Sequence, residues 1–308
     1  KGRREGVGAA APPPPQAAPP RPMGNACRGD PPADRSDAPA ERTWQSPGTK
    51  PDLGEYRGEW LGDQRHGEGT QQWLDGAVYE GQWVHGVAHG TGRLLLGNGH
   101  SYEGEWREDR AHGRGVYQTY EGSQYVGQWV MDRQEGHGEE VWDDLAKFKG
   151  EFKAGMKHGR GFFQWTDGSF YDGEFRHDQM CGSATYQWGD GRHYEGQWAD
   201  NKMNGQGKFE WLDGRSYVGQ YVDDKKHGQG VLCWPDGRRY DGSWRHGKQH
   251  GSGTYASLGG DVRRGEWQDG KHVRWTDGKG DIAPGETSCV EEPLLQKAHA
   301  SAASGLFA

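Results

Sequence analysis

The chain has 308 residues, among them 54 Gly, 15 Pro, 15 Trp, 13 Tyr and 8 Phe. Apolar residues make up only 31% and mean hydropathy is −1.11, which by itself suggests disorder, but that many rings do not belong to a solvated polymer. The formal charge of −8 leaves no basic reservoir for nucleic acid, and no apolar run approaches the ~20 residues of a membrane-spanning helix. Four Cys with no C-x-x-C pair indicate neither a zinc site nor a disulfide framework, so the chain reads as a reduced, cytoplasmic protein.

Residues 1–53 come first, with Pro12 to Pro15, Pro19, Pro20, Pro22, Pro31 and Pro32 and no period. Such a composition reads as a disordered Ala/Pro-rich leader or linker. Inside it, Met23-Gly24-Asn25-Ala26-Cys27 resembles the start of a dually acylated protein, with myristate on Gly24 and palmitate on Cys27 if synthesis begins at Met23. Arg28 departs from the Ser/Thr that the acylation signal prefers at that place. One acyl chain binds membranes only marginally, so Cys27 would supply the second signal.

From residue 54 to 278 the chain repeats. An aromatic-x-Gly-x-aromatic pattern starts at Tyr56 (YRGEW), Tyr79, Tyr102, Tyr125, Phe148, Tyr171, Tyr194, Tyr217 and Tyr240, with a worn copy at Arg263 (RRGEW). Every step is 23 residues, ten copies in all, and a fixed period of this length marks a repeat architecture. Counting from the first aromatic as position 1, Gly fills position 3 in all ten copies, from Gly58 on. It fills position 12 in nine and position 14 in eight, with Ala184 the exception. Position 5 is Trp at Trp60, Trp83, Trp106, Trp129, Trp198, Trp244 and Trp267; position 18 is Trp at Trp73, Trp142, Trp165, Trp188, Trp211 and Trp234. These rings are structural first.

The period inside each repeat is two, so positions 1, 3 and 5 share one strand face and positions 12, 14, 16 and 18 share one face of a second strand. Glu59, Gln82, Glu105 and Gln128, at position 4, must point the other way. Asp75-Gly76, Asn98-Gly99, Asp167-Gly168, Asp190-Gly191, Asp213-Gly214 and Asp236-Gly237 carry turn chemistry, which makes each repeat one β-hairpin plus the turn to the next. Helix is disfavoured by so much Gly. Gly at positions 3, 12 and 14 is expected to leave hollows in which a neighbouring strand's ring lies. The fold expected is all-β: an elongated single-layer β-hairpin repeat solenoid that advances ~10 Å per repeat, between a disordered N-terminal region and a short tail at 279–308.

The run YEGQWxxGxxHGxGxxxxxDG resembles the MORN (membrane occupation and recognition nexus) repeat, and the resemblance covers residues 54–278. Glu135, Cys181 and Asn204 depart from it where His is usual, and Asp144-Leu145 departs from Asp-Gly, which puts those local turns in question. The resemblance implies a hairpin solenoid and a role in scaffolding, membrane apposition or cytoskeletal organisation. Relatives include junctophilins, radial-spoke head proteins, protist cortical scaffolds and the N-terminal regions of plant-type phosphatidylinositol-phosphate kinases.

Chemistry-bearing candidates are few. Six His (His66, His89, His112, His158, His227 and His250) recur at position 11, a rise of ~10 Å apart, too far to share a metal whose ligands sit at ~2.0–2.1 Å; a structural role at the hairpin is expected, with no metal and no cofactor. No G-x-S-x-G, H-E-x-x-H or Walker sequence occurs, so the chain is expected not to be an enzyme. Lys225 and Lys226, Arg238 and Arg239, and Arg263 and Arg264 are the best cationic pairs for an anionic-lipid patch, set in a repeat region of 27 basic and 35 acidic residues. The expected function is a non-catalytic scaffold whose partners are cytoskeletal, ciliary or cortical proteins and further copies of itself, located in the cytoplasm or peripherally at the inner face of a membrane. The alternatives are a phosphoinositide-binding tether and the targeting region of a larger phosphatidylinositol-phosphate kinase-like protein.

Overall fold

The computed structural model of the protein describes residues 54–277. These form no helix and twenty strands, in two compact bodies that divide between Gly205 and Gln206. The first body holds β1 (Gly54–Leu61), β2 (Gln64–Trp73), β3 (Val78–Val84), β4 (Val87–Leu95), β5 (Ser101–Arg107), β6 (Arg110–Gln118), β7 (Gln124–Val130), β8 (Arg133–Val141), β9 (Lys147–Lys153), β10 (Met156–Gln164), β11 (Phe170–Arg176), β12 (Gln179–Gln187) and β13 (His193–Ala199). β14 (Lys202–Glu210) spans the division. The second body holds β15 (Ser216–Val222), β16 (Lys225–Cys233), β17 (Arg239–Arg245), β18 (Lys248–Ala256), β19 (Val262–Gln268) and β20 (Lys271–Trp275). Each repeat supplies one odd and one even strand, and strands adjacent in sequence pair antiparallel, as β1–β2–β3–β4 and β16–β17–β18 do. The all-β hairpin repeat expected from the period is therefore the fold.

Alternation places the rings on one face, where they make a core without a second layer. Tyr79, Tyr102, Tyr125, Phe148 and Tyr171 in the first body, and Tyr217 and Tyr240 in the second, are fully buried. Each lies over a glycine row. Gly58 pairs with Gly69, Gly69 with Gly81, Gly81 with Gly92 and Gly92 with Gly104. A Cβ on Gly150 would stand 2.6 Å from the Arg160 carbonyl oxygen and 2.7 Å from the Phe148 ring, well inside contact distance. Val126, on the opposite face of its strand, is exposed.

Position 12 works differently from the expectation. Between Gly104↔Gly115 and Glu105↔His112 the register shifts, so β6 carries two more residues than β5 across that step; the same shift recurs in β3–β4 and β7–β8. Gly113 sits in this bulge at φ 61 and Gly136 at φ 61, a left-handed backbone that glycine adopts without a Cβ penalty. Glycine is needed here for backbone conformation, and the facing group is the position-4 side chain, not a ring. The Glu105 carboxylate accepts from the Arg114 N–H at 2.9 Å and the Gln82 amide oxygen from the Thr91 N–H at 3.0 Å. From the ring face the phenol closes the bulge, with the Tyr102 hydroxyl donating to the Glu105 carbonyl at 3.0 Å and Tyr171 to Glu174 at 2.9 Å.

The two turns of each repeat have separate chemistries. The Asp-Gly signals lie in the turn between repeats, where Trp73 N–H donates to Ala77 C=O and Gly76 N–H to Trp73 C=O, while the Asp75 carboxylate accepts from Ala77 N–H at 3.0 Å. Inside every repeat after the first a two-residue turn joins the strands with both residues at positive φ, as at Glu108 (50°) and Asp109 (63°) or Met131 (48°) and Asp132 (68°), the type I′ geometry whose twist suits a hairpin; in the turn of the first repeat only Gly62 is at positive φ. The second turn residue also ties repeats together. Asp109 donates its N–H to the Ala88 carbonyl at 3.0 Å and accepts the Ala88 N–H on its carboxylate at 2.7 Å; Asp132 does the same to Ala111.

The turn that Asp144-Leu145 put in question forms as the others do, since Leu145 N–H donates to the Trp142 carbonyl at 2.9 Å. Leu145 takes the glycine's place at φ 69 and is 71% exposed. A left-handed conformation costs a non-glycine residue ~1–2 kcal/mol, and an exposed side chain offsets little of it. Leu145→Gly should therefore raise stability by about 1 kcal/mol once glycine's own chain entropy is subtracted. Urea unfolding checks this, and an unchanged or lower midpoint would mean that the turn stores no strain.

Candidate functional site: the ring-bearing face

The rings fall into two classes. Position-5 indoles are buried and anchored: Trp83 is 1% exposed, and its Nε1–H donates to the Gly69 carbonyl at 3.0 Å. Trp106, Trp129 and Trp244 donate to Gly92, Gly115 and Gly230 in the same way. Each also meets two tyrosines edge-on, as Trp106 meets Tyr79 at 5.2 Å and Tyr102 at 5.0 Å. Trp198 Nε1 is instead buried without a hydrogen-bond partner; the strand before it carries Ala184 in place of the position-14 glycine. Burial raises the phenols of Tyr79, Tyr102, Tyr171 and Tyr240 above their usual range, so they remain hydrogen-bond donors at any physiological pH.

Position-18 indoles are the half-exposed class. Trp142, Trp165, Trp211 and Trp234 are partly open, whereas Trp73 and Trp188 are buried. Trp165 leans on Phe163 at 4.4 Å and Tyr186 at 5.3 Å and keeps part of its face in solvent. Trp60, in the first repeat, is also exposed. The repeat pattern locates all of these rings but does not separate buried from open ones, because that depends on the side chains packed around each turn.

Three arginines lie over position-18 indoles. Arg192 lies over Trp188 at 5.2 Å, Arg215 over Trp211 at 5.3 Å and Arg238 over Trp234 at 5.3 Å. Asp190, Asp213 and Asp236 hold them at 2.7–2.8 Å. The side-chain hydrogen bonds from Arg192 and Arg215 keep the carboxyls of Asp190 and Asp213 below the usual carboxylate range. Each W-x-D-G-R stretch thus shows a ring, a cation and an anion side by side, with cation–π contacts worth ~0.5–2 kcal/mol each.

Within each cationic pair the two side chains have different settings. Lys226 turns under the rings while its neighbour Lys225 is exposed. Arg238 stacks on Trp234, whereas Arg239 pairs with Asp241 at 2.9 Å. Arg263 lies over Trp275 at 4.3 Å beside Asp277, and Arg264 is exposed. The acylation candidates Gly24 and Cys27 lie outside the described residues.

Position 10 holds Arg65 and Lys157, which the motif reading passes over, and Lys226, which it assigns to a lipid-facing patch. Arg65 sits over Trp83 at 4.4 Å and donates to Gln71 and to the Gly86 carbonyl. Lys157 lies over Trp142 at 4.9 Å and reaches the buried Glu140 at 3.4 Å. Lys226 is walled by Trp211 at 4.5 Å, Trp244 at 4.9 Å and Tyr217 at 5.0 Å. Position 10 falls in step with positions 12, 14, 16 and 18, so strand parity alone could have found these residues.

Among the described residues no cluster of three metal-ligating side chains occurs, and no helix is long and apolar enough to cross a membrane. At position 11 some side chains act at the turns: His66 Nδ1 lies 3.5 Å from the His85 N–H, and Glu135 accepts the Ala154 N–H at 2.8 Å where His is usual, whereas the Nδ1 atoms of His112 and His158 are buried without a hydrogen-bond partner. Cys181, which stands where His is usual, is a free thiol.

A family model described as MORN repeat matches nine consecutive segments, from 56–78 through 148–170 to 240–262. No curated protein matches the chain. Among solved structures, the chain is similar to the TCP10 domain of Danio rerio CPAP in complex with a peptide of Danio rerio STIL, at 14% identity over 73% of this chain and 100% of that one, TM-score 0.41. It is also similar to the SAS-4 (dCPAP) TCP domain of Drosophila melanogaster in complex with a proline-rich motif of Ana2 (dSTIL), at 10% identity over 57% and 90%, TM-score 0.32.

Lys226 gives this face a pH dependence. Burial pushes its amine from 10.5 down to about 7, and the Arg215 guanidinium adds to the push, while the three ring faces act in the opposite sense by favouring the ammonium. Between those limits the unfolded chain binds more protons at this site than the folded one, so the residue's contribution to stability rises as pH climbs from about 7 toward 10.5. Lys226→Met should raise the Tm most near pH 6 and progressively less toward pH 10. A gain that does not vary across that range would mean that the amine is not desolvated.

Proposed function

Because the chain belongs to the MORN-repeat family, we propose that it is a non-catalytic scaffold that binds protein partners along its ring-bearing face. The observation that carries this reading is the half-open indole rim, Trp142 and Trp165 in the first body and Trp211 and Trp234 in the second. Tryptophan and arginine are the side chains that most often anchor interfaces, and at Trp211 and Trp234 an arginine stacks on the indole with its orientation already fixed, which lowers the entropic cost of binding. The non-catalytic part of the reading is supported by the carboxylates: Glu105, Asp109 and Asp132 are each committed to capping a backbone N–H. The setting proposed is a membrane cortex, a cytoskeletal structure or a cilium.

Proximity labelling in the native cell, with the intact chain and with a Trp165→Ala/Trp211→Ala/Trp234→Ala variant, tests the reading. The variant should keep its fold by circular dichroism, since these rings are half-exposed, and lose most of the labelled protein set. An unchanged set would remove the ring face as the binding surface. Sedimentation of the intact chain with phosphoinositide vesicles, released by ~0.3 M salt, would favour the lipid-tether alternative in its place.

A further inference from the structure

β1 differs from every other aromatic strand of the first body in having a partner on one side only among the described residues. β3, for example, lies between β2 and β4, with Gly81 paired to Gly69 and to Gly92. In β3, β5 and β7 the position-5 indole leans over the preceding strand, donates to its glycine carbonyl and meets the preceding tyrosine edge-on, as Trp83 meets Tyr56 at 5.5 Å. Trp60 has no preceding strand among the described residues. Its ring contact there is Tyr56 of its own strand at 5.0 Å, and it is 56% exposed where Trp83 is 1%. Leu61 beside it is exposed as well.

GEYRGEWL has no Pro and no Lys to guard the edge, and its charges, Glu55, Arg57 and Glu59, alternate in sign. Its sequence is complementary to itself read backwards. With two copies antiparallel about Gly58, Gly58 meets Gly58, Arg57 meets Glu59, and Tyr56 meets Trp60. The glycine row running through Gly58, Gly69 and Gly81 would continue unbroken into the second copy and give each Trp60 indole the glycine floor it lacks. On the outer face the rung next to the glycine row is already a charge pair inside the molecule, at Arg93 and Glu103, so Arg57 opposite Glu59 repeats an existing pattern. Arg57 is at present bonded to Glu55 with both groups in solvent, a pairing worth little and readily exchanged. The outer edge of β20, which has β19 as its one partner among the described residues, has no such match: Lys271-His272-Val273-Arg274-Trp275 contains no acidic residue, and two copies would oppose His272 to Arg274.

We propose that β1 is a dimerisation edge, through which two copies of this chain pair antiparallel about a two-fold axis at Gly58, burying Trp60 and joining their sheets. This does not rest on the ring face as the partner-binding surface, since the edge and the rim use different residues.

Sedimentation velocity of the full chain over a concentration series tests the proposal. The wild type should show a monomer–dimer equilibrium. Trp60→Lys, on a ring already half in solvent, should keep the melting curve and yield monomer. Arg57→Glu should weaken the dimer by roughly ten-fold, the factor that corresponds to 1.4 kcal/mol. Glu59→Arg should do the same, and an equal mixture of these two variants should restore dimer, because each then meets its opposite. Glu59 accepts the Glu68 N–H at 3.3 Å; should Glu59→Arg lose its fold with that cap, Trp60→Lys and Arg57→Glu alone decide. A wild type that stays monomeric at every concentration, a dimer indifferent to both substitutions, or a series of larger oligomers formed head to tail would each overturn the proposal.

Discussion

A ring lying on a glycine pair is the contact on which the rest of this molecule depends. A one-layer sheet has no opposing layer to cover its apolar face, so the face must cover itself. Rows such as Gly92–Gly104–Gly115 open a trough with no Cβ on either side, and the tyrosines and indoles lie flat in it, edge to face. The result is full burial of Tyr102 and near-complete burial of Trp106 in a sheet one strand thick. Aromatic side chains bring 150–250 Å² each to such a core, which explains how a chain with so few aliphatic residues folds.

The bulge at position 12 is a consequence of that contact. For the position-1 ring to lie over its glycines, its hydroxyl must end near backbone, and the bulge turns the position-4 carbonyl toward it. The same bulge frees an N–H on the second strand, and the position-4 Glu or Gln accepts it. One irregularity therefore fixes three of the motif's residues at once: the glycine for its left-handed backbone, the acid or amide for its oxygen, and the tyrosine for its hydroxyl. Phe148 fills the ring's place without the hydroxyl and is still fully buried, so packing, rather than the hydrogen bond, is the larger part of the contact.

Most of the fold is legible in the sequence because the 23-residue period repeats each clue ten times. Two parts are not. The hairpin turns at Glu108-Asp109 and Met131-Asp132 carry no turn glycine, and they form because ten neighbouring copies impose the register and the carboxylate of the second residue is rewarded by a bond to the previous repeat. Burial at position 18 is equally hidden, since Trp188 and Trp165 occupy the same place in the motif and differ only in their surroundings. The position-10 cations show the reverse case: Lys226 reads as a surface charge next to Lys225, yet strand parity sends it under three rings.

Exchange of the indole N–H protons, followed residue by residue by NMR, tests the central claim most directly. If position-5 rings are seated on the glycine row with their N–H bonded to its carbonyls, Trp83, Trp106, Trp129 and Trp244 should exchange slowly, at rates set by local unfolding. Trp142, Trp165, Trp211 and Trp234 should exchange rapidly. Equal rates in the two groups would mean that the rings are not seated as described, and that the one-layer sheet buries its face by some other means.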